Sequence, residues 1–96
     1  AVSVKSSVII TLAANGDQPA GVYLGDGKAA DRMLDSADLE AQSTDITSFV
    51  EEELAADKNN ILIKAEKGVR HRDVARVSRA VGQAAPDLYV AVLEVQ

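Results

Sequence analysis

Cysteine is absent from this 96-residue chain, which excludes a disulfide framework and any chemistry at a thiolate. Histidine occurs once, so a metal site built from side-chain nitrogen and sulfur has almost no ligands available. Only Tyr23, Phe49 and Tyr89 are aromatic, too few to form the stacking platform that single-stranded nucleic acids need. The sequence therefore predicts neither a metal nor a nucleic-acid partner.

Long hydrophobic runs are missing as well. The longest apolar stretch covers residues 8 to 14, far short of the ~20 residues that a membrane helix needs. No signal peptide is visible. The chain begins with Ala1 rather than Met, which indicates a processed protein or an excised fragment.

The sequence contains no catalytic motif of a common type. Gly-x-Ser-x-Gly, the phosphate loop and Gly-x-Gly-x-x-Gly are all absent. Gly25-Asp26-Gly27 is predicted to be a turn, because no third glycine follows and no helix clearly opens there. We therefore expect a protein that is not an enzyme and holds no cofactor.

The net charge of −5 is unevenly distributed along the chain. Residues 29 to 57 carry nine acids and one base, whereas residues 58 to 85 carry seven bases and two acids. One interpretation is a modest attraction between neighbouring helices, as is usual for exposed charges. The other is a bipolar surface that steers a partner.

Hydrophobic periodicity predicts the order β-β-α-β-α-β. Residues 8–13 and 21–25 form a hairpin around the Asn15-Gly16 turn signal. Residues 45–56 form a helix behind Thr44 as N-cap, and 61–63 form a strand buried on both faces. The last elements are a helix from about residue 70 and a strand over 88–95, joined as a parallel pair.

This order predicts an α+β fold, a two-layer sandwich with helices on one face of a mixed sheet. Residues 1–7 are expected to be a linker, and 8–96 a single domain. The acidic segment 29–44 is open to two interpretations, a short extra surface helix or a mobile loop.

A candidate binding site lies at the start of the second helix. Arg70, His71 and Arg72 oppose the helix dipole there, and Arg76 follows one turn later. A helix N-terminus with flanking arginines can receive a carboxylate or phosphate. The alternative is that these cations simply extend into water. His71 is not expected to bind zinc, since its two arginine neighbours repel a cation.

The sequence resembles the ExbD/TolR biopolymer-transport family. The segment Ile61-Leu-Ile-Lys-Ala-Glu-Lys-Gly-Val69, with Asp73-Val74 and Val77 behind it, is similar to that family's strand, Ala-Asp-Lys turn and helix. Val22-Tyr-Leu-Gly-Asp-Gly-Lys28 resembles its second hairpin strand, and Val90-Ala-Val-Leu-Glu-Val95 its last strand. The family's pattern differs at three places: Glu66 replaces Asp, Arg70-His71 replaces Pro-Tyr, and residues 29–44 resemble an insertion.

The resemblance implies the periplasmic domain of a single-pass inner-membrane protein. In that family, a membrane helix with a proton-binding Asp pairs with a ring-forming channel subunit of the ExbB/TolQ type. Proton-motive force then drives a TonB- or TolA-type transducer, and some members bind peptidoglycan. The proton carrier would precede Ala1. A homodimer is implied, and strand addition at residues 8–13 or 88–95 could mediate the contacts.

A soluble ferredoxin-like module that binds a ligand or regulates another protein is the alternative. That fold requires a helix between the first two strands, and the Asn15-Gly16 hairpin signal argues against one.

Overall fold

Two α-helices and a four-stranded sheet make up residues 6–95, the part of the chain that the structure, a computed structural model, describes. The predicted α+β fold is confirmed. The elements in chain order are β1 (Ser7–Ala13), β2 (Gly21–Leu24), α1 (Leu39–Ala55), β3 (Asn60–Glu66), α2 (His71–Ala84) and β4 (Val90–Val95). Most of the predicted linker, residues 1–5, lies outside the described residues, and β1 already begins at Ser7.

The strands lie in the order β2-β1-β3-β4. β1 pairs antiparallel with β2 through the predicted hairpin, and parallel with β3, with Ile10 opposite Ile63. β4 is parallel to β3, with Val92 opposite Ile63. The sheet is therefore mixed. β1 lies inside it and is paired with a neighbouring strand on each side.

The core lies between one face of the sheet and the two helices. On β3 the buried residues alternate with half-buried ones, so Ile61, Ile63 and Ala65 face the helices. The prediction that this strand is buried on both faces is therefore wrong. β1 is the strand covered on both faces, because Ile9 and Thr11 on its second face are also buried.

The first helix starts earlier than predicted. Asp38 is the N-cap of α1, and its carboxylate accepts hydrogen bonds of 3.1 Å from the backbone N–H groups of Glu40 and Ala41. Thr44 lies inside the helix instead, where its hydroxyl donates to the carbonyl of Glu40. The helix ends at Ala55, and the left-handed residue behind it is Asp57.

The acidic segment 29–44 is neither an independent α-helix nor a loop throughout. It contains one 3-10 turn, Ala30–Arg32, and its last six residues belong to α1. Neither helix of the described chain combines the length and apolar character that crossing a membrane requires.

Helix α2 presents one apolar stripe to the core. Val77 and Val81 are fully buried, and Val74 and Ala84 pack at the margin of the core. Its N-cap residue, Arg70, makes no capping hydrogen bond through its side chain. Arg70 and Arg72 bind the loop between β1 and β2 instead.

Candidate functional site

The outer strand β4 is the most exposed apolar part of the described chain. Val92 is 50% exposed on the face that carries the helices, and Leu93 is 48% exposed on the opposite face. Tyr89, just before the strand, is 86% exposed. Val90 is the residue of β4 that packs against the core. Both faces of this strand therefore offer side chains to a partner.

The backbone of β4 is also open on one side. Its inner side pairs with β3 over six residues, from Ile61 opposite Val90 to Glu66 opposite Val95. Within residues 6–95, no strand or loop pairs with its outer side. A strand edge with unpaired N–H and C=O groups can receive another strand. The prediction that residues 8–13 form an exposed edge strand is therefore wrong, because they belong to β1 inside the sheet.

Two of the predicted site cations bind the hairpin loop between β1 and β2. Arg70 forms an ion pair with the carboxylate of Asp17 and donates from Nε to the carbonyl of Gly16 at 3.1 Å. Arg72 donates to the carbonyl of Asp17 at 2.9 Å. These contacts fasten the first turn of α2 to the hairpin. An incoming anion would compete with Asp17.

The other two predicted residues lie apart from this contact. His71 is exposed. Arg76 is mostly buried and forms an ion pair of 2.6 Å with Asp73, whose side chain is only 2% exposed. The structure therefore brings Arg70 and Arg72 together but not Arg76, and anion binding by the four residues stays a prediction.

Arg76 lines an open cleft of about 810 Å³ between α1 and α2, with Ser43, Thr47 and Arg79 among its neighbours. Its Nε and Nη2 atoms are buried and have no hydrogen-bond partner among the protein atoms. Both helices are close here, since Thr47 donates to the carbonyl of Ala80 at 2.8 Å. No ion pair of the described residues joins the acidic α1 to the basic α2.

The loop after β2 is fastened to the second face of the sheet. Lys28 donates to Glu66 at 2.6 Å, and Lys64 to Asp26 at 2.8 Å. The hydrogen bond from Lys28, together with one from the backbone N–H of Ala14, lowers the pKa of Glu66. The same pair raises the pKa of Lys28. These contacts join the loop after β2 to the end of β3.

A metal centre is not built by the described residues, since no three of their His, Asp and Glu side chains converge. The chain matches no family model and no curated protein. Its function must therefore be argued from its own residues, and the open edge of β4 is the feature that most directly points to one.

Sequence reasoning named residues 88–95 as a possible edge but could not choose between them and residues 8–13. It missed the Asp73–Arg76 pair altogether. The spacing of three residues between opposite charges on one helix was a usable signal for that pair.

Proposed function

We propose that this chain is a protein-contact domain that works by strand addition at β4. Following the resemblance described above, we place it in the periplasmic part of an inner-membrane subunit that couples proton-motive force to a TonB- or Tol-type system. The single observation that carries the proposal is the unpaired, apolar outer edge of β4. The proton-binding residue and the contact with the channel ring belong to a membrane helix before Ala1.

Strand addition suits β4 on physical grounds. Soluble proteins usually protect an outer strand with lysine, proline or a bulge. β4 contains no lysine or proline and pairs with β3 without a bulge, and its one charged residue is Glu94. An added strand would form backbone hydrogen bonds and cover Val92 and Leu93 on opposite faces.

A second copy of the chain is a suitable partner. Two β4 strands related by a two-fold axis pair antiparallel. When the axis passes at Val92, each Val92 faces the other, and Glu94 lies opposite Val90 of the other copy, so the two carboxylates do not face each other. The same edge would otherwise serve an extended segment of a transducer.

The connection between β1 and β2 supports this proposal over the ferredoxin-like alternative. These strands are joined by residues 14–20, which contain no helix. A ferredoxin-like module needs a helix at that place.

Sedimentation equilibrium of the wild-type chain and two lysine variants tests the proposal. The wild type should form dimers, and Val92→Lys should be monomeric, because it places two cations near the paired edges. Ala41→Lys, which adds the same charge to an exposed position of α1, should remain dimeric. A wild type that stays monomeric up to millimolar concentration and binds no transducer segment, or a dimeric Val92→Lys, would contradict the proposal.

A further inference from the structure

The second outer strand of the sheet, β2, is closed by the chain that follows it. Leu34 donates its backbone N–H to the carbonyl of Val22 at 2.9 Å, and Met33 forms an antiparallel bridge with Tyr23. The side chain of Arg32 donates from Nε to the carbonyl of Leu24, also at 2.9 Å. Residues 30–34, which we name the edge cap, therefore occupy the outer side of β2.

The carbonyls that the edge cap occupies are those that an added strand would use. Gly25 donates its N–H to Ile9 of β1. Because residues of an antiparallel pair alternate between inward and outward hydrogen bonding, Val22 and Leu24 direct their backbone groups away from β1. Both outward carbonyls of the four-residue strand have a donor from the edge cap.

Arg32 is fixed in this place by α1. Its guanidinium lies 5.6 Å from the centre of the Phe49 ring, within reach of a cation–π contact. Arg32 and Phe49 line a cleft whose other lining residues include Asp45, Glu52 and Glu53. The acidic face of α1 thus surrounds the one base of residues 29–57 and favours its position against β2.

We infer that the edge cap restricts strand addition to β4, so that assembly of this chain stops at two copies. The inference rests on the proposed pairing at β4. A sheet with two open edges would add copies without limit, as aggregating sheets do. With β2 closed, β4 is the one open edge of each chain, and it is fully paired in the dimer.

Two variants open β2 by removing donors from the edge cap. Arg32→Met keeps an apolar chain over Phe49 but cannot donate to Leu24. Arg32→Met combined with Leu34→Pro also removes the N–H that binds Val22. Arg79→Met, which replaces an exposed arginine of α2, is the matched control. Circular dichroism checks that each variant is folded.

Light scattering after size-exclusion chromatography measures the assemblies. The wild type and Arg79→Met should reach a mass of two chains and stop there at rising concentration, whereas both cap variants should form larger species. If the double variant unfolds, Arg32→Met alone decides the outcome. A folded cap variant that stops at the wild-type mass would overturn the inference.

Adding Val92→Lys separates this inference from the proposed function. The Arg32→Met chain with a blocked β4 should form pairs through β2 alone. If those pairs form while the wild type is monomeric, the edge cap protects β2 but β4 is not the natural interface. If neither edge associates in any variant, both the inference and the proposal are wrong.

Discussion

The two outer strands of one sheet differ in every respect that controls contact with other chains. β2 is short, its Val22 is fully buried, and the edge cap occupies its outer carbonyls. β4 is longer, exposes Val92 and Leu93 on its two faces, and has no neighbour among residues 6–95 on its outer side. A small sheet can therefore keep one edge closed and leave the other for a partner, although both strands are mainly apolar.

The largest effect should come from separating the Asp73–Arg76 pair, which lies in α2, the helix that connects β3 to β4. Asp73→Ala leaves a mostly buried guanidinium without its carboxylate, and we expect a loss of about 3–5 kcal/mol in the free energy of unfolding. Urea denaturation measures it. The double variant Asp73→Leu with Arg76→Met, which removes both charges, should be much closer to wild type, and equal losses in the two chains would contradict the role of the pair.

A valine in each outer strand compares their burial directly. Val22→Ala should lower the free energy of unfolding by about 2 kcal/mol, since it removes methyl groups from a filled core. Val92→Ala should change it by less than about 0.5 kcal/mol in the monomer, because the side chain is half exposed. If urea denaturation of dilute protein gave the same loss of unfolding free energy for Val22→Ala and Val92→Ala, Val92 would be as buried as Val22, which contradicts an open β4.

Hydrogen exchange should separate the two edges at the level of single amides. The N–H of Leu34 is bonded to Val22 and should exchange slowly at every protein concentration. Outward amides of β4 should exchange fast in dilute protein and become protected as the concentration rises. Protection of β4 that does not depend on concentration would contradict pairing.

The smallest effect concerns the ion pair that joins the loop after β2 to the end of β3. Because the folded chain lowers the pKa of Glu66, its stabilising contribution is complete above the usual glutamate pKa of about 4.3 and is lost as pH falls toward the folded value. The raised pKa of Lys28 gives a contribution that is lost only as alkaline pH rises through its folded value.

Glu66→Gln tests this linkage. The variant should show a shallower fall in thermal stability than wild type as pH decreases below the usual glutamate pKa, because it has no carboxylate to protonate. Asp87→Asn is a control at an exposed position outside the strands and helices. Parallel curves for wild type and Glu66→Gln would contradict the assigned contact.

The sequence predicted the element order because apolar periodicity changes clearly from strand to helix and back. The start of α1 was missed for a physical reason. Gln42 occupies the buried stripe of its first turns, where its amide donates to the carbonyl of Asp35 and the hydroxyl of Ser36. A buried polar residue whose side-chain nitrogen donates to a neighbouring loop breaks the apolar pattern on which the prediction depended.

The candidate site was harder to predict than the fold. β1 and β4 both consist mainly of aliphatic residues, yet β1 is central in the sheet and β4 is exposed at its edge. Strand position follows from pairing partners that lie far apart in sequence, so composition alone does not identify the open edge. The edge cap forms because the loop after β2 turns back along that strand, and hydrophobic periodicity does not predict such a turn.

Disulfide cross-linking tests the central claim most directly, because the chain has no cysteine of its own. Val92→Cys, Leu93→Cys and Met33→Cys each place one thiol at a position of about the same exposure, 50%, 48% and 50%. Under mild oxidation, at least one of the β4 variants should form covalent dimers in high yield, and the edge-cap variant should not. Equal yields from all three positions, or dimers from Met33→Cys alone, would contradict the account.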